Sequence, residues 1–306
     1  MTDAALATQP STAEPRKLTR HQKALESIFG NKFVHTFGSP YLVLEDQSIV
    51  CPVAVRFFKK DFPYLSKQLY LEYQYRSWRG FNAELLQRYA DVTSTKLANI
   101  KILMTNNINR LRKLLESQGH KAELSLWPSV HKCDVPIIAT LARTYMEVLA
   151  MLDQVYTLAG TANLMGVIDS AQRAEVEFVS KKAVRAFRSI LQTEVVKLYR
   201  EAQRLMREQQ SAGIVDQSMS AIVAQQGQDI AAFDKSSKED ENTDEGMRLN
   251  GVDAGQLIDD AAAASTAAVA ATGGTRKRTS KKAENGEAPA AAPAPAPVPV
   301  AAAAAS

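Results

Sequence analysis

The sequence has few of the residues that mark catalytic or metal centres. Its two cysteines, Cys51 and Cys133, are far apart and in no CxxC pattern, so neither a disulfide framework nor a zinc site is predicted. The four histidines are scattered along the chain: His21, His35, His120 and His131. A glycine-rich phosphate loop, an HExxH motif and a GxSxG motif are all missing. We therefore expect a protein that is not an enzyme and that uses no cofactor or metal.

Long apolar runs are also missing. The sequence has no run of about 18 or more apolar residues, the length that a helix needs to span a bilayer. The start of the chain, "MTDAALATQPSTAEP", lacks the charged beginning and apolar middle of a secretory signal. The sequence therefore predicts a cytoplasmic protein that does not interact with a membrane.

Charge of the two signs is distributed unevenly. Residues 16–213 contain 29 basic and 18 acidic residues, a net charge of +11, whereas residues 214–260 contain 3 and 11, a net charge of −8. The formal charge of the whole chain, +4, hides this asymmetry. The field of a strongly positive folded part attracts phosphate backbones or anionic lipid. Composition thus indicates a class of partner without giving a function.

Helical periodicity dominates the middle of the chain. Apolar residues step by three and four over residues 82–118, 138–155 and 170–212, with a weaker pattern over residues 215–233. The polar run at residues 91–95 could divide the first of these helices, Pro136 suits the first position of the second, and Gly160 would follow its end. Asp169 and Gln172 form a capping box before the third. A helix of this length spans about 60 Å and needs a partner along its length. We expect a mainly α fold, an elongated bundle of long antiparallel helices or a dimer-forming coiled coil.

A change of period near the N-terminus predicts a small β-ribbon. The runs "YLVLED" and "SIVCPVAVRFF" are rich in β-branched and aromatic residues and indicate two strands over about residues 40–58. Pro52 favours an edge position for the second strand, because proline cannot donate to a ladder. The stretches "AELSLWP" and "CDVPI" are also predicted to be extended, since each precedes or contains a proline.

The predicted organisation has four parts. Residues 1–17 form a disordered N-terminus, and residues 18–235 form the helical core with its β-ribbon. Residues 236–260 form a solvated acidic linker. Residues 261–306 have the composition of a disordered tail, first basic and then rich in Ala and Pro.

The longest predicted helix has a basic face opposite its apolar face. Eight cations fall within about half of the helical wheel: Lys181, Lys182, Arg185, Arg188, Lys197, Arg200, Arg204 and Arg207. The apolar face is expected to be core. The basic face has two interpretations, a contact with nucleic acid or an ordinary solvated surface, and the imbalance of charge is the argument for the first.

A second basic group, Arg56, Lys59 and Lys60, lies at the end of the predicted ribbon. Two-stranded ribbons can enter the DNA major groove and read base edges, so this group is a candidate for sequence recognition. The alternative is that positive residues protect an edge strand from aggregation.

Three stretches resemble a known family: "FNAELLQRYADVTSTKLANIKILMTNNINRL", "LWPSVHKCDVPIIATLARTYMEVLAMLDQVYTLAGTANLMGVID" and "AEVEFVSKKAVRAFRSILQTEVVKLYREA". Over about residues 20–230 the chain is similar to AcaB-type transcriptional activators of integrating conjugative elements and related plasmids. The resemblance implies a DNA-binding activator of transfer genes, related to the ribbon-helix-helix class. A compact ribbon-helix-helix unit has one strand and two short helices, and this sequence predicts much longer helices. No individual contact residue is implied.

Two hypotheses therefore stand. The first is a DNA-binding transcriptional regulator of a mobile element, a homodimer whose partner is double-stranded DNA, with transcription or conjugation proteins as further partners. The second is a non-enzymatic helical scaffold that binds other proteins of the element and whose charge serves solubility.

Overall fold

The computed structural model describes residues 18–119, 127–213, 217–241, 258–260 and 263. In chain order the elements are α1 (Arg20–Phe29), α2 (Asn31–Thr36), β1 (Leu42–Ile49), α3 (Pro52–Lys60), α4 (Phe62–Arg76), α5 (Ala83–Ser117), β2 (His131–Ile137), α6 (Thr140–Leu164), α7 (Ser170–Ser211) and α8 (Gln217–Glu241). The predicted fold class is confirmed: the protein is mainly α, with one small antiparallel sheet.

Helices α5 and α7 run antiparallel. Near one end of the pair, Arg88 lies 3.8 Å from Glu194. Near the other end, the Asn107 amide donates to the Ser180 hydroxyl at 3.3 Å. At about 1.5 Å per residue, the 42 residues of α7 span about 60 Å and form the long axis of the bundle.

Helix α6 is also antiparallel to α7. The rings of Tyr145 and Phe187 are 5.8 Å apart, and the Tyr156 hydroxyl donates to the Glu177 carbonyl at 3.3 Å. Helices α5 and α6 must therefore run parallel to each other. Between the end of α5 and the start of α6, the chain returns to the other end of the bundle through the connection that includes β2.

The predicted helix boundaries are largely confirmed. Asp169 and Gln172 form the predicted capping box of α7. The polar run at residues 91–95 does not interrupt α5, because buried Thr93 satisfies its hydroxyl on the Tyr89 carbonyl within the same helix. The predicted end of α6 before Gly160 was wrong, since the helix continues to Leu164.

The two-stranded sheet contains the predicted first strand, since β1 includes most of "YLVLED", but its second strand is a different segment from the predicted one. Strand β1 pairs with β2 in antiparallel register, from Leu42 opposite Ile137 to Ile49 opposite His131. Pro136 therefore lies in a strand and not at the start of α6. The stretch "CDVPI", predicted to be extended, supplies most of β2.

The predicted second strand of the ribbon is a helix. Pro52 occupies the first turn of α3, where its missing N–H costs nothing. Asp153 of α6 accepts hydrogen bonds from the backbone N–H groups of Val50 at 3.0 Å and Cys51 at 2.5 Å. The start of α3 is thus fixed by a carboxylate from another part of the chain.

The C-terminal helix extends past the predicted end of the core at residue 235. Helix α8 continues to Glu241, so the first part of the predicted linker 236–260 is helical. Near the other end of that linker, Ile258 is fully buried, and Asp259 contacts Lys96 at 2.6 Å and Asn99 at 2.8 Å. The predicted disordered segments 1–17 and nearly all of 261–306 lie outside the described residues.

Among the helices described, none is both long enough and apolar enough to cross a membrane.

Candidate functional site

Helix α3 presents the second basic group to solvent. It buries Ala54, Phe57 and Phe58 against the core, and Arg56 and Lys60 remain on its exposed side. These cations are therefore on a short helix and not on a β-ribbon. The predicted mode of base reading, a ribbon in the major groove, loses its structural basis here.

A cleft between α3 and α7 brings the two predicted basic groups together. Its volume is about 40 Å³, enough for a few water molecules. The residues that line it are Val53, Arg56, Phe57, Lys60, Asp61, Lys181, Arg185 and Arg188. Five cations thus surround one carboxylate, which gives the cleft a formal charge of +4. We call these eight residues the cationic cleft.

Asp61 and Arg188 form an ion pair at the base of the cationic cleft. The Arg188 Nη1 atom lies 3.2 Å from Asp61 Oδ1, and the side chains are only 12% and 1% exposed. A pair this well buried holds both side chains in place, because either charge alone would be costly to bury. The pair joins α7 to the junction between α3 and α4, where Asp61 lies.

Arg188 also contacts α8. Its guanidinium carbon lies 4.4 Å from the centroid of the Phe233 ring, in cation–π geometry. Phe233 is stacked on Tyr64 of α4 with centroids 3.8 Å apart. Burial raises the pKa of Tyr64, and the carboxylates of Asp234 and Asp229 raise it further. This phenol is therefore a neutral hydrogen-bond donor, and it donates to Gln192.

In the C-terminal half of α7, two of the predicted cations pair with glutamates of the same helix. Lys197 contacts Glu194 at 2.6 Å, and Arg204 contacts Glu201 at 2.6 Å as well as Glu208. Hydrogen bonding from Arg204 lowers the pKa of Glu201, and the two glutamates raise the pKa of Arg204. These two cations contact carboxylates three or four residues away on the same helix, so their charges are balanced without a partner from another molecule.

The remaining predicted cations are distributed more widely. Lys182 lies over the Phe178 ring at 5.8 Å, and Arg200 and Arg207 are exposed. The Lys59 charge acts on the strand β2 side, where burial and then Lys59 lower the pKa of His131. The structure therefore gathers five of the eleven predicted residues into one site and leaves the other six outside it.

Sequence reasoning missed the residues that organise the cleft. Asp61, Tyr64, Gln192 and Phe233 belong to three different helices and show no shared motif. The helical spacing of apolar residues before Asp61 would have identified α3, because Ala54, Phe57 and Phe58 stand at positions i, i+3 and i+4. No local signal indicates that Asp61 meets Arg188.

No metal centre is found in the part of the chain that the structure describes, where no group of three or more His, Cys, Asp or Glu side chains could hold an ion. Asp134, beside Cys133, is instead bound by the Arg20 guanidinium at 2.6 Å, which lowers the pKa of this carboxyl.

Comparison with known proteins gives a similarity of fold. No protein-family model and no curated protein matches this chain. A solved structure does: the crystal structure of selenomethionine-containing AcaB from uropathogenic E. coli, at 13% sequence identity and a TM-score of 0.50. The match covers 61% of this chain and 98% of AcaB. At this identity the similarity concerns the fold alone, and the chain has an AcaB-like fold.

Proposed function

We propose that this protein is a DNA-binding transcriptional regulator, an activator of transfer genes of an integrating conjugative element or plasmid. The observation on which the proposal rests is the cationic cleft, where Arg56 and Lys60 of α3 meet Lys181, Arg185 and Arg188 of α7. A cleft lined by five cations from two helices has the chemistry to bind an anion. A phosphate of the DNA backbone is the anion that this protein would meet in that role.

The chemistry of the cleft suits phosphate. Arginine presents a planar set of N–H donors that matches phosphate oxygens in two-point contact, and lysine adds a point charge. The Asp61–Arg188 pair fixes one guanidinium in the wall of the cleft, so less side-chain entropy is lost on binding. The +11 net charge of residues 16–213 would steer DNA toward this part of the chain.

Two further observations support the same proposal. The sequence resembles AcaB-type activators, and the fold is similar to that of AcaB. We propose in addition a homodimer, on the basis of the length of α7, about 60 Å, and of its apolar repeat of three and four residues, which is typical of a coiled coil. Neither a catalytic activity nor a cofactor is part of the proposal.

The role proposed for the cleft is binding of phosphate and not recognition of sequence. Phosphate contacts fix the position of a protein on DNA, whereas base edges specify the site. The sheet is a poor reader of bases, since Glu45 and Asp46 of β1 and Asp134 of β2 form an acidic group around Arg20.

A salt titration of duplex binding tests the proposal. The variant Lys181→Gln/Arg185→Gln should reduce the magnitude of the slope of log K against log salt by about 2, because each lost phosphate contact removes about 0.9. The matched control Lys197→Gln/Arg204→Gln also removes two cations of α7 and should leave the slope unchanged. No binding by the unaltered protein at 50 mM salt, or equal loss in both variants, would contradict the proposal.

The scaffold hypothesis is favoured by a different observation. Leu164 is 77% exposed, and Met165 and Phe178 are each 41% exposed, so apolar side chains are available for a protein partner. If the protein is a scaffold, partners recovered after nuclease treatment should be lost on Leu164→Ser substitution, and duplex DNA should not be shifted in a gel.

A further inference from the structure

A second cleft lies at the end of the bundle where α5 and α6 end and α7 begins. Its apolar wall consists of Leu111 and Leu114 of α5, Val167 and Ile168 of the turn before α7, and Val176 of α7. Its volume is about 140 Å³. Pockets for cofactors or drug-sized ligands are about 300 to 1,000 Å³, whereas a cavity of about 150 Å³ holds one benzene molecule. The size therefore fits a single apolar side chain. We call this site the apolar cleft.

An exposed leucine belongs to the same turn as part of the cleft wall. Leu164 is the last residue of α6 and is 77% exposed, and Met165 after it is also exposed. Hydrogen bonds close this turn, because the N–H groups of Val167 and Ile168 both donate to the Ala162 carbonyl, at 2.8 and 3.3 Å. The backbone that carries Leu164 is thus fixed close to an apolar cleft that its side chain does not fill.

Two opposite charges flank the apolar cleft. Arg110 lines it from α5 and is exposed. Glu175 of α7 is exposed as well and lies between Gln172 and Val176, which both line the cleft. Neither Arg110 nor Glu175 has an ion pair with any residue that the structure describes. This end of the bundle therefore combines an apolar projection, an apolar cleft and one unpaired charge of each sign.

Such a surface is complementary to its own copy. In a dimer with two-fold symmetry every contact occurs twice, because residue i of one copy meets residue j of the other and the reverse. A rotation of 180° can then place each Leu164 at the other copy's cleft and each Arg110 opposite Glu175. A purely acidic partner would suit Arg110 but oppose Glu175, and a purely basic partner would do the reverse. A second copy matches both.

We propose that two copies of this chain associate through this end of the bundle. Leu164 of each copy enters the apolar cleft of the other, and Arg110 of each copy pairs with Glu175 of the other. The inference rests on the homodimer of the proposed function and gives that dimer its contact surface. It does not depend on DNA binding.

The first experiment measures dimerisation of the full chain by analytical ultracentrifugation between 1 and about 100 µM. Leu164→Ala should weaken the dimer about 100-fold, because the substitution removes an apolar anchor twice in each dimer. Leu42→Ala is the matched control, since Leu42 of β1 is also an exposed leucine, and it should leave the dissociation constant within about twofold. Both side chains are exposed, so neither substitution should unfold the protein.

The second experiment reverses the two charges at 50 mM salt. Arg110→Glu and Glu175→Arg should each weaken the dimer about tenfold, because each places like charges opposite one another at two contacts. The double variant Arg110→Glu/Glu175→Arg should recover an affinity within about threefold of the unaltered protein. Arg112→Glu, which reverses an exposed cation of α5 outside the cleft, should have almost no effect. Additive losses in the double variant would contradict the pairing.

The possible failures are distinguishable. A dimer that is insensitive to Leu164→Ala would overturn this surface and leave the proposed homodimer intact. A chain that is monomeric at every concentration would overturn both, and the cleft would then be left to a protein of different sequence. The salt titration of duplex binding decides the DNA-binding role separately, because its variants lie in the cationic cleft and not at this end of the bundle.

Discussion

The two halves of α7 differ in how their positive charges are satisfied. In residues 197–207, Lys197 and Arg204 pair with glutamates three or four positions away on the same helix. In residues 181–188, Lys181, Arg185 and Arg188 instead line the cleft beside α3, and Arg188 pairs with the buried carboxylate of Asp61. Both halves have basic residues that repeat by three and four positions on one face of the helix. Similar helical patterns can thus give ion pairs within one helix in one place and a cleft between two helices in another.

The difference bears on the proposed function because cations from two helices that line one cleft can contact the same anion. An ion pair between neighbouring positions on one helix contributes little to stability and cancels its own field. The cationic cleft is lined by five cations from two helices and by one carboxylate. The first half is therefore a candidate for phosphate binding, and the second half is the control within the same helix.

Replacement of Arg188 should give the largest difference between the halves. Arg188→Met leaves the carboxylate of Asp61, only 1% exposed, without its guanidinium, and we expect a loss of about 3 kcal/mol in the free energy of unfolding. Arg204→Met should leave that free energy almost unchanged, because Arg204 and Glu208 are exposed. Urea denaturation of both variants provides the measurement. Similar losses in the two variants would contradict the distinction.

The aromatic contact of Arg188 should contribute less. Phe233→Leu keeps an apolar side chain but removes the stack on Tyr64 and the cation–π contact, at an expected cost of about 1 kcal/mol. Phe178→Leu is the matched control, because exposed Phe178 also lies under a cation, Lys182. Its substitution should have no measurable effect on urea denaturation. A greater loss for Phe178 than for Phe233 would show that burial at the cleft is not decisive.

The second half of α7 can be made more like the first. The variant Glu201→Gln/Glu208→Gln removes the carboxylates that hold Arg204. If release from these carboxylates lets Arg204 reach a phosphate, the slope of log K against log salt should increase in magnitude by about 1. Glu84→Gln/Glu116→Gln on α5 changes the total charge equally and should leave the slope as it was. An unchanged slope in both variants would limit phosphate contact to the cleft.

The smallest expected effect is on the pH dependence of stability. Because Arg204 lowers the pKa of Glu201 below its ordinary 4.5, the ionised carboxylate contributes stability above pH 4.5 and loses it as pH falls through the lowered pKa. The difference in stability between the unaltered protein and Glu201→Gln should therefore be constant near neutral pH and disappear in acid. Denaturation series at several pH values provide the test, and a difference that grows in acid would contradict it.

Much of the fold could be predicted from local patterns. The long helices α5 and α7 follow from apolar spacing, and the capping box of Asp169 and Gln172 gives the start of α7. The error at residues 50–58 has a physical origin, since β-branched and aromatic residues such as those of "VAVRFF" favour strands in isolation. Asp153 of α6 and the packing of Phe57 and Phe58 override that preference.

The candidate site could be predicted only in part. Its cations on α7 were identified from the charge imbalance on the helical wheel, and those on α3 from their position at the end of the predicted ribbon. Their convergence could not be, because the cleft depends on how α3 packs beside α7, which no periodicity specifies. The ion pair of Asp61 and Arg188 and the contact of Phe233 join three helices that are far apart in the sequence.

The sequence by itself determined the helical class of this protein, the length of α7 and the separation of positive from negative charge along the chain. These properties depend on composition and on spacings of three and four residues, which act within one element. The tertiary structure alone decided that β1 pairs with β2, that residues of both basic groups share one cleft, and that Phe233 of α8 packs on Arg188. Each of these depends on contacts between distant segments, whose free energy is gained only when the whole core forms.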